Sequence, residues 1–244
     1  MTEAWYAGVD GCRGGWFVVL LRGKGRAIEA LRTCLCRDFQ QVLAIPEQPA
    51  RIAVDMPIGL LDAAQPGGRD CDQATRQRLA ARRSSVFSPP VRPALAARDY
   101  AEALALNRAS SKAGLGLSRQ AFNILGKIRE LDACLTPAMQ GRIVEAHPEL
   151  AFLGLAGEPM RHNKKSAEGR AERLALLERH LGRAMPDAQA LHLAYGAGLL
   201  ALDDIIDACA LAWVARRVDL GQGRRLPEGA ATLDGKGLRM EIWY

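Results

Sequence analysis

The 244-residue sequence has no apolar run approaching the roughly 18 residues that a membrane-spanning helix needs, so no span is expected. Its first residues, MTEAWYAG, lack a basic stretch followed by an apolar core. A secretory leader is therefore not expected, and the chain is read as cytoplasmic. Cysteine never clusters. Of Cys12, Cys34, Cys36, Cys71, Cys134 and Cys209, only the second and third are close, and one intervening residue is the wrong spacing for a zinc knuckle. They are read as reduced, small core residues. Internal repeats and low-complexity tracts are also absent.

What is present is ordinary globular composition, 49% hydrophobic and 25% charged, enough for one large domain carrying a long insertion. The formal net charge is +6. Between Pro57 and Gln140 there are twelve Lys or Arg against seven Asp or Glu, so most of the excess lies in the middle third. Such segregation suits a polyanionic partner, although a solvated arginine-rich surface gives the same count.

The N-terminal AWYAGVDGCRGGW reads as a buried strand that ends on Asp10 and turns through glycines into a second strand, Phe17 to Leu21. Ala27 to Cys34 alternates as a third, antiparallel strand. A short helix follows over Asp38 to Ile45. Arg51 to Met56 is an apolar run between prolines, suited to a buried central strand, and it ends on Asp55. From about 57 to 140 the pattern is helical with loops: a basic helix from Asp70 to Arg83, then Asp99 to Arg108 and Ser118 to Leu135. RIVEA, residues 142–146, is strand-like and carries Glu145, and His147-Pro148-Glu149 opens a helix. Further helices are expected over Ala167 to His180, Asp187 to Leu200 and Asp203 to Val218. The last is apolar around most of its circumference. A hairpin through Asp234-Gly235 closes the chain.

An aspartate at the end of a core strand is costly unless something positive sits beside it. Asp10 and Asp55 both hold such positions, and ligands gather beyond the carboxyl ends of parallel strands. Glu145 lies in a third strand, and His147 shares its face while the chain stays extended. Asp204 and Asp207 share one face of the apolar helix. Asp203 is accounted for by first-turn charge or capping, but Asp207 lies a turn inside. Four or five carboxylates without a cysteine cluster suit a hard cation such as Mg²⁺ or Mn²⁺, with two ions roughly 4 Å apart as the arrangement for phosphodiester chemistry. A buried ionic network with Arg or Lys fits the same spacing.

GVDGCRGGW, AVDMPIGL, RRSSVFSPP, GLSRQAFNILGKIRELD, VEAHPEL, NKKS with GRAERL, and DDIIDACALAW occur in this order, ahead of the terminal GLRMEIWY. Together they resemble the bacterial family called domain of unknown function 429, whose members are taken to be RNase H-like nucleases. The resemblance implies an α/β, RNase H-like fold. Its mixed five-stranded sheet has order 3-2-1-4-5 with flanking helices, and a helical insertion lies between strands 4 and 5, all within one domain. In RNase H-like nucleases the metal ligands come from the first strand, the fourth strand and a late helix. Carried over, Asp10 and Asp55 take the strand positions, and Asp207 with Asp204 takes the helix position. Glu145 and His147 match the family's own Glu-x-His-Pro-Glu stretch.

The expected activity is therefore metal-dependent hydrolysis of DNA or RNA. Asp10, Asp55, Asp204 and Asp207 would serve as metal ligands, with Glu145 as a further carboxylate. Lys164 or Lys165 would stabilise developing charge. His147 would either relay a proton or bond to backbone at the helix start. Arg76, Arg82, Arg83, Arg119 and Lys127 would seat the phosphate backbone, where a plain surface role is the alternative. A homodimer would suit symmetric junction substrates. Two other readings share the residues. One is an ATP-dependent phosphotransferase of the actin or sugar-kinase class, which normally repeats the core and here finds one copy. The other is a nucleic-acid-binding protein without catalysis.

Overall fold

The computed structural model describes residues 3–25 and 27–244. Strand β1 (Ala4–Cys12) pairs antiparallel with β2 (Gly15–Lys24), which pairs antiparallel with β3 (Ala27–Cys36). Helix α1 (Phe39–Leu43) follows, with the Asp38 carboxylate accepting from the Gln41 amide at its start. Strand β4 (Arg51–Val54) then enters parallel to β1. Helices α2 (Asp70–Leu79), α3 (Tyr100–Ala109), α4 (Arg119–Asn123) and α5 (Leu125–Cys134) precede β5 (Ile143–Glu145), which is parallel to β4. Helices α6 (Pro148–Ala156), α7 (Ala167–Leu181), α8 (Ala188–Tyr195) and α9 (Leu202–Asp219) complete the main elements. The five strands form one mixed sheet in the order β3-β2-β1-β4-β5, the α/β arrangement the sequence implies. No helix among the described residues is long and apolar enough to cross a membrane.

The chain divides into two compact units. One comprises Met1–Asp55, Gly141–Arg224 and Trp243–Tyr244; the other comprises Met56–Gln140 and Arg225–Ile242. In the second unit the guanidinium of buried Arg69 donates to Asp72 at 2.7 Å and to the Ile58 and Gly59 carbonyls. Arg92 joins Asp132 to Asp234. A small core of Ala97, Ala103, Leu117, Ala121 and Leu125 lies under α3 to α5. Two expected helices are corrected here. The basic helix stops at Leu79, where Ala80 takes φ 48, and continues as a 3₁₀ segment to Ser85. The expected 118–135 helix is interrupted at Ile124. In the first unit the expected 187–200 helix ends at Tyr195, because Gly196 turns at φ 96.

In the first unit, α9 lies directly on one face of the sheet. Strand alternation puts Tyr6, Gly8, Asp10 and Cys12 on that face, joined by Phe17 and Val19 of β2, Ala53 of β4 and Val144 of β5. Tyr6, Cys12, Phe17, Val19, Ala53 and Val144 share one buried cluster with residues Ile205 to Ala215 of the helix. Gly8 sets the separation. A Cβ there would fall 2.1 Å from both the Ala208 carbonyl oxygen and the Ala212 amide nitrogen, so backbone meets backbone. The apolar circumference of α9 follows from this position, sheet on one side and α6, α7 and α8 on others.

Gly8→Ala is expected to force the helix off the strand and lower unfolding free energy by about 3 kcal/mol, seen as a melting temperature roughly 6–12 °C lower. Gly126→Ala, where a Cβ meets open space in a helix, is expected to be neutral or to add up to about 1 kcal/mol. Thermal and urea unfolding of the two variants checks both.

Candidate metal centre

Val9 pairs with Val54, so the next residues, Asp10 and Asp55, stand level on neighbouring parallel strands. The Asp55 amide continues the ladder by donating to the Val9 carbonyl at 2.9 Å. Both side chains lie on the face that carries α9. Because Ala208 and Ala212 rest on Gly8, the preceding turn of the helix carries Asp207 over the end of β1. The result is a convergence of Asp10, Asp55 and Asp207, whose nearest carboxylate oxygens all lie within 4.8 Å of one another. Asp10 and Asp207 are buried and Asp55 is partly buried.

Such a cluster is electrostatically unfavourable on its own. Burial, followed by the charges of Asp55, Asp207 and Asp204, pushes Asp10 well above the ordinary carboxylate range. Burial and then Asp207 push Asp55 up to about 7. Among the described residues one cation answers them: the Lys164 ammonium donates to Asp207 Oδ2 at 2.6 Å. The charge of Asp207, above all, holds that lysine protonated well beyond its usual range. Oxygen donors on three elements, without sulfur or imidazole among them, are the donor set of a hard divalent cation, and the cluster can hold a metal ion.

A family model described as protein of unknown function (DUF429) matches residues 8–232. The chain belongs to this family. No curated protein and no solved structure matches it. In this DUF429 protein the matched span contains all three converging aspartates and Lys164.

The other expected site residues fall elsewhere. Asp204 stands near the triad but outside it, three residues and about 4.5 Å further along the helix axis. Its Oδ2 accepts from the Ala201 amide at 2.9 Å, so Asp204, and not Asp203, closes the start of α9. Glu145 does not join the cluster. It pairs with Val54, one step before Asp55, and alternation turns it to the opposite face of the sheet. His147, two residues on at the start of α6, has the same parity, while Ala146 between them packs into the α9 cluster. Lys165 is exposed, with its amide bonded to the Asn163 side chain at 3.0 Å.

The Arg76 guanidinium donates to the Val86 and Gly67 carbonyls and to Ser88 Oγ. Arg119 stacks over Tyr100 at 3.7 Å from the ring centroid. Arg82 lies in the 3₁₀ segment beside exposed Arg83, and Lys127 lies partly buried on α5.

The sequence reading missed the scaffold behind Lys164. Buried Arg173 of α7 pairs with buried Glu149 of α6 at 2.5 Å and donates to the His162 carbonyl at 3.2 Å. Glu172 accepts from the amides of Arg161 and His162. These residues belong to VEAHPEL and GRAERL, motifs with no role legible from spacing alone.

With chelator present, the folded DUF429 protein holds protons on Asp55 and Asp10 that the unfolded chain has already released above pH about 4. Its stability is therefore expected to fall as pH rises from about 4 through about 7, where Asp55 releases its proton, and to go on falling for as long as Asp10 stays protonated. Thermal melts in EDTA check the slope, and Asp10→Asn with Asp55→Asn is expected to flatten it. Saturating Mn²⁺ at pH 7.5, at about 100 times its dissociation constant, is expected to add about 2.7 kcal/mol to the wild type and nothing to the double variant.

Proposed function

We propose that this protein is a nuclease that hydrolyses phosphodiester bonds of DNA or RNA in a Mg²⁺- or Mn²⁺-dependent reaction. The observation that carries the reading is the origin of the three aspartates: first strand, fourth strand and a late helix on a 3-2-1-4-5 sheet. RNase H-like nucleases, which the chain resembles, draw their metal ligands from the same three places. The raised proton affinity of Asp10 and Asp55 adds to it, since carboxylates crowded against their own repulsion favour a cation over a void.

In this reading Asp10, Asp55 and Asp207 hold the divalent cation. When bound, it supplies Lewis-acid polarisation of a phosphate oxygen and makes water acidic enough to react near neutral pH. Lys164 reduces the negative charge that a phosphodiester meets on approach. Asp204 fixes the start of α9 and so the height of Asp207 over the strands. The positive excess of residues 57–140 contributes long-range attraction for a polyanion, with Arg82, Arg83, Arg119 and Lys127 as phosphate contacts. Glu145 and His147 take no part in the cation site.

The test is cleavage by purified protein of a panel covering single-stranded, duplex and branched DNA and RNA, with Mg²⁺, Mn²⁺ or EDTA. Divalent-dependent cleavage is expected. Losing a ligand carboxylate forfeits about 4 kcal/mol of transition-state stabilisation, so Asp10→Asn and Asp55→Asn are each expected to lower the rate about a thousandfold. Activity that persists in the double variant, or no cleavage of any member by the Mn²⁺-loaded wild type, would sink the reading.

A further inference from the structure

Lys164 is not an ordinary surface lysine that happens to lean on an acid. Its loop, residues 161–166, is held from several sides. The Asn163 carbonyl accepts from the Ser166 amide at 2.9 Å and the Ser166 hydroxyl at 3.0 Å, and Ser166 Oγ in turn accepts from Gly169 at the start of α7. A Cβ on Gly169 would lie 1.9 Å from the Asn163 carbonyl oxygen, so the first turn of α7 is pressed against the loop backbone. Glu172 ties down the amides of Arg161 and His162 at 2.9 and 3.1 Å. Arg173, anchored on Glu149 at 2.5 Å, ties down the His162 carbonyl and donates to Gly169 at 2.9 Å. A side chain delivered by such a loop is placed before any ligand arrives, which lowers the ordering cost of the contact it makes.

Where it is placed matters for the cation count. The ammonium contacts the innermost carboxylate, Asp207, at 2.6 Å, and the same aspartate is one of the three that converge. The three converging aspartates and Asp204, which lies outside the triad but acts on Asp10 and Asp55 by its charge, carry four negative charges, and Lys164 returns one. A single divalent ion then leaves one net negative charge, whereas two ions would leave the buried cluster net positive beside a fixed ammonium. With a neutral residue at 164, two divalent ions balance the four carboxylates.

We propose that Lys164 is a built-in cation that fills the second cation position of the cluster, so that the site takes one divalent ion where four carboxylates alone would take two. This rests on the metal-dependent reading above and replaces the two ions expected from sequence. Lys164 then does permanently what a second ion would do only when bound, and the affinity for the single ion is set by Asp10 and Asp55 together with Asp207.

Calorimetric titration with Mn²⁺, read alongside electron paramagnetic resonance, tests this without reference to activity. The wild type is expected to bind one Mn²⁺ per chain and to show the six-line spectrum of an isolated ion at every loading. Lys164→Met is expected to bind two, with the broadened spectrum of a coupled pair, and Lys164→Arg is expected to keep one. Wild-type protein that binds two ions, or a Lys164→Met protein that still binds one, overturns the proposal and leaves the nuclease reading standing. Wild-type protein that binds none overturns both. If Lys164→Met does not fold, Lys164→Gln takes its place, with two ions expected and one ion overturning the proposal.

Discussion

At Gly8 the strand backbone and the backbone of α9 touch with no side chain between them. The geometry of the acidic centre depends on this contact. An ordinary helix packs on a sheet through its side chains, and a layer of that thickness would lift Asp207 away from the strand ends. Here Ala208 and Ala212 rest on Gly8, and the turn that precedes them brings a carboxylate within 4.8 Å of those on β1 and β4. The strands contribute by register alone, since the Val9–Val54 pair makes Asp10 and Asp55 level. One missing Cβ and one parallel register thus bring together three carboxylates from positions 10, 55 and 207.

The packing that makes the centre also strains it electrostatically. Desolvated like charges raise the proton affinity of Asp10 and Asp55, so the folded protein is least comfortable near neutral pH without a cation. The surrounding structure must over-determine such an arrangement for it to persist. The apolar body of α9 does so from one side, buried from Ile205 to Ala215. From the other side, the Glu149–Arg173 pair and Glu172 hold the loop of Lys164. Stability lost at the acidic centre is offset by burial along the rest of α9 and by pairing between α6 and α7.

The parts legible in the sequence were those with a local cost. Asp10 and Asp55 stand at the ends of apolar strands, and Asp207 sits a turn inside an apolar helix, so each needed an explanation where it stood. The strand order followed from the family resemblance and from strands set off by turns and prolines. Glu145 was misplaced because a strand of three residues shows no alternation long enough to reveal its faces; only pairing with Val54 fixes its parity. The internal bonds of Arg76 were not legible, because sequence cannot show that the carbonyls of residues 67 and 86 converge on it. Arg173 and Glu149 are 24 residues apart on different helices, beyond any local rule. The turn at Ala80 falls in a stretch of good helix formers, where tertiary packing overrides propensity, whereas the break at Ile124 lies between Asn123 and Gly126, both weak helix formers.

The buried ionic network that competed with a metal site on spacing alone can now be judged against two such networks in the same chain. Arg69 meets Asp72 through several guanidinium bonds, and Arg173 meets Glu149 at 2.5 Å. In both, one carboxylate faces one guanidinium, the pairing that makes burial of an ion pair tolerable. The aspartate cluster is built otherwise. Three carboxylates converge with a fourth close by, and the cation that meets them is one lysine bonded to one oxygen of Asp207. A chain able to pair its buried acids so closely elsewhere leaves this centre short of positive charge, and the proton affinities of Asp10 and Asp55 register the deficit. An acidic centre organised by backbone contact and left incompletely neutralised can hold a cation in addition to the ion pair that Lys164 already makes with Asp207.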